Sequence, residues 1–131
     1  MLGNNEYIGW YDGLPEKADQ IAFRTVYDKP LIMSEFGGGA LQGHHGAPEE
    51  RWTEEFRRSL YEHQVRMLDR IPFLRGTTPW ILTDFLSPRR PLPGIQDLWN
   101  RKGLISDRGV RKQAFYVLQD WYLRRIQAKG R

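Results

Sequence analysis

Leu31, Ile32 and Met33 form an unbroken apolar run that opens after Pro30 and closes on Ser34, Glu35 and Phe36, just before three consecutive glycines. A strand that is apolar on both faces is covered on both faces, the situation of a parallel sheet, and parallel strands need long, usually helical, crossovers. That run, alternating with helices along the chain, points to an α/β fold. It also delivers a carboxylate, Glu35, to the carboxyl end of the strand, where parallel sheets collect their functional residues. A buried strand has no structural use for an acid, which makes Glu35 a candidate catalytic carboxylate; the bland alternative is a solvated or ion-paired loop residue.

The flanking segments extend the alternation. Residues 1–10 are short, glycine-punctuated and aromatic, and read as the end of a strand followed by its loop. Pro15 and Glu16 open a helix predicted over 14–28, with Ala18, Ile21, Ala22 and Val26 on one face. After the glycine-rich loop 37–47, a second helix is predicted over 48–70, its apolar stripe running through Trp52, Phe56, Leu60, His63 and Met67 at steps of three and four. Glu49, Glu50, Glu54 and Glu55 crowd its start and Arg66 and Arg70 its end, as the helix macrodipole favours, so these acids need no catalytic role. A third strand is predicted over 76–85, releasing Asp84 at its end, although Pro79 cannot donate to a ladder and argues against a central strand throughout. Residues 87–95, with Pro88, Pro91, Pro93 and Gly94, read as an extended loop, and a final helix over 110–126 buries Ala114, Val117, Leu118 and Trp121.

The order is strand end, helix, strand, helix, strand, helix. A (β/α)8 TIM barrel needs about 250 residues and eight such units. These 131 residues supply three, and read as one segment, 1–131, forming roughly the last three βα units of an incomplete barrel.

Composition limits the function classes. The 40% hydrophobic residues include five Trp, six Tyr and six Phe, enough to fill a core, while 27% charged residues cover an ordinary surface. The net charge of +4 is spread over separate Arg pairs interrupted by acids; only residues 124–131 form a basic cluster, read as a solvated tail, so nucleic-acid binding is not expected. No run approaches the roughly 20 apolar residues of a membrane helix, and the first residues lack the basic and apolar regions of a signal peptide. With no cysteine there is no disulfide framework or thiolate metal site, and localisation stays open. His44 and His45 are adjacent, point opposite ways in an extended segment and have no third ligand nearby, so neither metal nor cofactor is expected.

Four segments taken together carry a resemblance: residues 5–11 (NEYIGWY), 30–37 (PLIMSEFG), 80–85 (WILTDF) and 100–103 (NRKG). With residues 52–56 (WTEEF) and 102–108 (KGLISDR), they resemble the C-terminal part of the catalytic barrel of glycoside hydrolase family 2, especially its β-glucuronidase branch, over about residues 3–121. The resemblance implies retaining hydrolysis of a β-glycoside by two carboxyl groups about 5 Å apart, a nucleophile and an acid/base. Glu35 matches the nucleophile at the end of barrel strand seven. Tyr7 matches the tyrosine that hydrogen-bonds it, and Tyr11 a nearby pocket residue; rim packing is the alternative for both. Trp80 matches the tryptophan that walls the sugar site, with a core tryptophan as the alternative, and Asp84 a residue bonding sugar or its neighbours, or else an arginine. Asn100 and Lys102 match the Asn-x-Lys pair that holds the substrate carboxylate in glucuronidases, a β-galactoside being the alternative sugar because similar sequences occur in relatives acting on neutral sugars. Gln96 and Ile81 depart from the residues usual in glucuronidases.

The family's acid/base is a Glu following an Asn at the end of strand four. Asn5-Glu6 imitates that pair, but the residues after it match the strand-six loop, and only one helical unit separates it from Glu35. The acid/base is therefore expected upstream of this segment, and the isolated chain is expected to be nearly inactive. The implied partners are a carbohydrate substrate and either an upstream barrel portion or a second copy. The competing expectation is a non-catalytic fragment that self-associates or binds a partner through unpaired strand edges.

Overall fold

The computed structural model describes residues 1–130. The elements run β1 (Leu2–Asn5), a short 3-10 helix (Pro15–Gln20), β2 (Leu31–Glu35), α1 (Glu54–Asp69), β3 (Leu74–Thr77), β4 (Phe85–Leu86), β5 (Trp99–Asn100) and α2 (Gln113–Lys129). The first three strands form a parallel sheet in the order β1-β2-β3, so the Glu35 strand is central. Register places Leu2 opposite Leu31 and Asn5 opposite Glu35, with an irregularity at Asn4 and Asn5. The mixed α/β class with parallel strands follows from the apolar run at 31–33.

The core lies between the sheet and the helices. Leu31, Met33 and Phe36 meet Tyr61, Val65 and Leu68 of α1 and Leu118 and Trp121 of α2. A second cluster, Trp10 with Phe56 and Leu60, packs the loop after β1 against the start of α1.

Three predicted elements differ markedly from those observed. The helix expected over 14–28 is a six-residue 3-10 turn. Its end is fixed by Arg70, whose guanidinium donates to the carbonyls of Ala18 and Ile21 at 2.7 and 3.2 Å, while the β-branched and aromatic residues that follow resist continuation and leave Val26 93% exposed. The helix expected from residue 48 starts at Glu54, because Trp52 is left-handed (φ 72°) and stacks edge-on against Trp10 at 4.9 Å. Thr53 then caps α1, its hydroxyl accepting from the Phe56 N–H at 3.0 Å. The strand expected over 76–85 spans Leu74–Thr77 and stops short of Pro79, as the missing proline donor requires. The long loop over 87–95 links an antiparallel two-strand ribbon, Phe85 opposite Asn100 and Leu86 opposite Trp99.

The basic cluster at 124–131 is largely the solvent-exposed end of α2, where Arg125 pairs with Asp69 at 2.7 Å and lies 5.0 Å over the Trp121 ring. Arg131 lies outside the described residues. Among those described, no helix is long and apolar enough to cross a membrane.

Glu54 and Glu55 join the N-terminal ends of the two helices. Glu54 accepts from the Gly43 and Gln113 N–H groups at 2.8 and 2.9 Å, which supplies α2 with the cap its own Lys112 does not provide. Glu55 accepts from the Gly46 N–H at 3.2 Å and the Gln113 amide at 2.8 Å, and meets His45 Nδ1 at 2.8 Å. Burial raises the Glu55 carboxyl, but these bonds outweigh it and hold it down at about 2. The Glu55 bond raises His45, against weak desolvation. Depressed Glu55 contributes stability present above its unfolded value of 4.5 and lost as pH falls toward 2. Raised His45 contributes stability present below 6.5 and lost as pH rises through its higher folded value. Urea unfolding against pH is therefore expected to show both arms, and Glu55→Gln to flatten the acid arm and weaken the alkaline one.

Candidate active site

The carboxyl ends of the three parallel strands are tied together by the chain leaving them. The Glu6 N–H donates to the Glu35 carbonyl, and the Trp80 N–H to the Phe36 carbonyl, both at 2.9 Å. The Thr78 hydroxyl donates to the Ser34 carbonyl at 2.7 Å, and the Ser34 hydroxyl reaches Asn5 Oδ1 at 2.7 Å. Glu35 is thus fixed at the end of the central strand with the loops of both neighbours beside it. Gly37 follows it at φ 119°, and a Cβ there would run into the Tyr61 hydroxyl. The glycines after Glu35 are buried and let α1 and Trp10 approach the backbone closely.

The half-buried Glu35 carboxylate accepts a 2.8 Å hydrogen bond from the Tyr7 hydroxyl. Among the described residues no cation pairs with it, so the ion-paired alternative has no support. Burial and the Glu35 bond push the Tyr7 phenol well above its ordinary range, so it remains a proton donor to the carboxylate. Tyr7 packs edge-on against Tyr11 at 5.3 Å, and Lys102 Nζ sits 4.4 and 4.3 Å over the two rings. That ammonium donates to the Tyr11 hydroxyl at 2.6 Å. Burial lowers the Lys102 pKa, partly offset by the Tyr11 bond. Burial raises the Tyr11 phenol, but the Lys102 bond and the charges of Lys102 and Arg90 outweigh it, for a net lowering.

Glu35, Tyr7, Tyr11 and Lys102 therefore form one connected cluster. Asn100 is buried beside it, its Oδ1 accepting from the Lys102 N–H at 3.0 Å, so its oxygen shapes the turn that presents Lys102. Trp80 is half-buried at the carboxyl end of the sheet and meets Phe85 edge-on at 6.2 Å. Asp84 takes the ion-paired alternative. Its side chain is fully enclosed, paired with Lys112 Nζ at 2.8 and 2.9 Å and with Arg101 at 3.4 Å, and accepts from the Gly103 N–H at 2.8 Å.

A cavity of about 130 Å³ adjoins the cluster, lined by Tyr11, Asn100 and Lys102 together with Arg90 and others, but not by Glu35 or Trp80. Sequence reasoning missed two buried cations that brace this region. Arg57, on the buried side of α1, donates to the Gly103 and Lys102 carbonyls at 2.5 and 2.6 Å. Lys112 bridges Asp84 to the Ala40 carbonyl at 2.7 Å. Their only sequence signal was a charge in an otherwise apolar helical register or at a helix start. Among the described residues no group of three or more His, Cys, Asp or Glu side chains is placed to hold a metal.

Comparison with known proteins bears on this arrangement. No protein-family model matches the chain. The β-glucuronidase of Homo sapiens is 33% identical over 128 residues, covering 90% of this chain and 19% of the relative. The chain is related to a segment of glycoside hydrolase family 2 enzymes. A solved Faecalibacterium prausnitzii β-glucuronidase superposes with a TM-score of 0.74 at 27% identity, over 92% of this chain and 21% of that one. A family 2 β-galacturonidase from Eisenbergiella tayi, solved bound to galacturonate, shares the fold with a TM-score of 0.75 at 23% identity, over 92% and 23%. The chain spans about a fifth of the length of the curated relatives it matches.

Removing either buried brace is expected to be costly. Lys112→Met leaves the Asp84 carboxylate enclosed with weaker compensation and should lower the unfolding free energy by about 3–5 kcal/mol. Arg57→Met should cost about 1–3 kcal/mol for each carbonyl left without a donor and speed hydrogen exchange in residues 100–104. Denaturant unfolding and amide exchange of the two variants check both.

Proposed function

We propose that residues 1–131 are the closing βα units of a (β/α)8 glycosidase barrel and that Glu35 is the nucleophile of a retaining β-glycosidase. The parallel order β1-β2-β3 supports the barrel reading, as do open grooves along both outer strands. One groove, of about 760 Å³, is lined by Leu2, Gly3, Asn4, Phe23 and Phe73; the other, of about 310 Å³, by Leu74, Gly76, Thr77 and Tyr122. The observation that carries the catalytic reading is the Glu35 carboxylate at the end of the central strand, unpaired with any described cation and held by one tyrosine hydroxyl.

The chemistry proceeds in two displacements. A carboxylate oxygen of Glu35 attacks the anomeric carbon as the bond to the leaving oxygen breaks, and that oxygen takes a proton from the acid/base. Water then attacks the glycosyl ester, giving its proton to the same base and releasing Glu35. Tyr7 orients the nucleophile through its hydroxyl. The acid/base is supplied from outside residues 1–131; Glu6, whose N–H bonds the Glu35 carbonyl, is the alternative within them. Without that group the chain forfeits a factor of about 100 to 10,000. Lys102 and Asn100 favour a uronoside, in keeping with the glucuronidase and galacturonidase names of the relatives, over a neutral β-galactoside.

The second reading is a fragment that self-associates or captures a partner, favoured by the two outer strand edges and their grooves. Size exclusion separates it from the first, since a stable oligomer without any reaction at Glu35 would support it.

A 2-deoxy-2-fluoro-β-glucuronosyl fluoride tests the nucleophile directly, because fluoride leaves without being protonated and the acid/base is not needed. Mass spectrometry of digested protein is expected to find the sugar on Glu35 and none on Glu35→Gln. Labelling of another residue, or none at all, would remove Glu35 from the mechanism.

A further inference from the structure

Buried polar groups are almost always hydrogen-bonded, and one that is not calls for a reason. The Tyr61 hydroxyl is such a group: fully enclosed in the core between α1 and the sheet, it has no hydrogen-bond partner among the described residues. A phenylalanine would fill the same space without burying an unpaired oxygen, whose desolvation is unfavourable. What distinguishes the position is its neighbour. The hydroxyl lies against Gly37, two residues after Glu35, so closely that no Cβ fits there.

The Tyr61 ring belongs to a short stack that runs from the helix to the strand end. The Arg57 guanidinium lies 5.2 Å over it, and on the strand side it meets Phe36, the residue next to Glu35, at 5.9 Å. Arg57 is itself fixed by its bonds to the Lys102 and Gly103 carbonyls. Burial raises the phenol, while Arg57 and the Gly38 N–H oppose that rise. Both groups therefore bear on the hydroxyl oxygen, yet neither meets it at hydrogen-bond geometry. The Gly38 N–H makes no bond to another backbone group among the described residues. Hydrogen bonds that organise a reacting group are often long or poorly aligned in the free protein and tighten when substrate is bound.

We propose that Tyr61 is a positioning residue for Glu35, its hydroxyl oxygen accepting from the Gly38 N–H and from Arg57 once a sugar occupies the site and the loop after β2 settles. Glu35 is already held from the sides, where the Glu6 and Trp80 N–H groups donate to the Glu35 and Phe36 carbonyls at 2.9 Å. Tyr61 adds a hold from the helix side, through a ring that packing allows little freedom. The inference deepens the hydrolase reading and rests on it for the reaction that Glu35 performs.

Tyr61→Phe removes one oxygen and nothing else. The variant is expected to unfold at the wild-type urea midpoint or above it, because no unpaired oxygen has to be buried. With the 2-deoxy-2-fluoro-β-glucuronosyl fluoride, its maximal rate of labelling at Glu35 should fall about tenfold to a hundredfold, as a misplaced reacting group implies, while the half-saturating concentration stays the same. The Glu6 and Trp80 amides should exchange hydrogen faster than in the wild type. A hydroxyl with a merely structural role would not separate rate from stability in this way. An unchanged labelling rate sinks this inference and leaves the hydrolase reading standing; so does a rate that falls together with the urea midpoint. If the wild type is not labelled at all, the hydrolase reading fails and amide exchange decides the rest. Faster exchange at Glu6 and Trp80 with an unchanged midpoint then keeps Tyr61 as the tether of the Glu35 loop, and unchanged exchange removes it.

Discussion

A carboxylate enclosed without solvent must be answered by charge and by oriented donors, and Asp84 is the point at which that requirement organises this chain. Lys112, Arg101 and the Gly103 N–H all converge on it. Lys112 also reaches the Ala40 carbonyl, so one buried ion pair joins the loop after β2, the end of the β4–β5 ribbon and the start of α2. Burying such a pair is a weak source of net stability, but it leaves few alternative arrangements for the segments it connects. Gly103 is required there, since a Cβ would collide with the Thr83–Asp84 backbone.

From that anchor the geometry of the cluster around Glu35 follows in steps. Arg57 reaches up from α1 to the Lys102 and Gly103 carbonyls, fixing the turn whose side chain lies over Tyr7 and Tyr11. Tyr7 in turn donates to Glu35. On the other side, Tyr61 and Leu60 of the same helix press against the glycines after β2, which is why that loop is buried rather than mobile-looking in composition. A single helix therefore sets both the nucleophile candidate and the cation nearest it, the kind of rigid support a reacting group needs.

Charge is distributed with the same economy. A sequence whose basic residues look dispersed becomes, in three dimensions, an acid-free cavity with four cations beside an aromatic pair, while Arg57, Arg70 and Arg75 donate to carbonyls and Arg125, Arg66 and Arg58 pair with Asp69, Asp19 and Glu62. The +4 net charge is thus better described as local fields than as a basic face.

The sequence by itself determined the α/β class, the buried strand and the position of Glu35 at its end, because an apolar run of three residues closing on an acid and glycines has few other uses; that this strand is central came from the sheet order. It also determined the aromatic and lysine neighbours, Tyr7, Tyr11 and Lys102, through a family-like pattern of residues. Helix limits were not legible: the fold of Trp52 into a left-handed conformation and the capture of the Ala18 and Ile21 carbonyls by Arg70 depend on partners distant in the chain. The role of Asp84 was likewise beyond local reading, since a strand-end acid looks the same whether it faces solvent or a buried lysine 28 residues away. Tertiary structure alone decided which charges are answered inside the protein and which, like Arg90, are left facing a cavity, because that depends on distances between segments and not on their order.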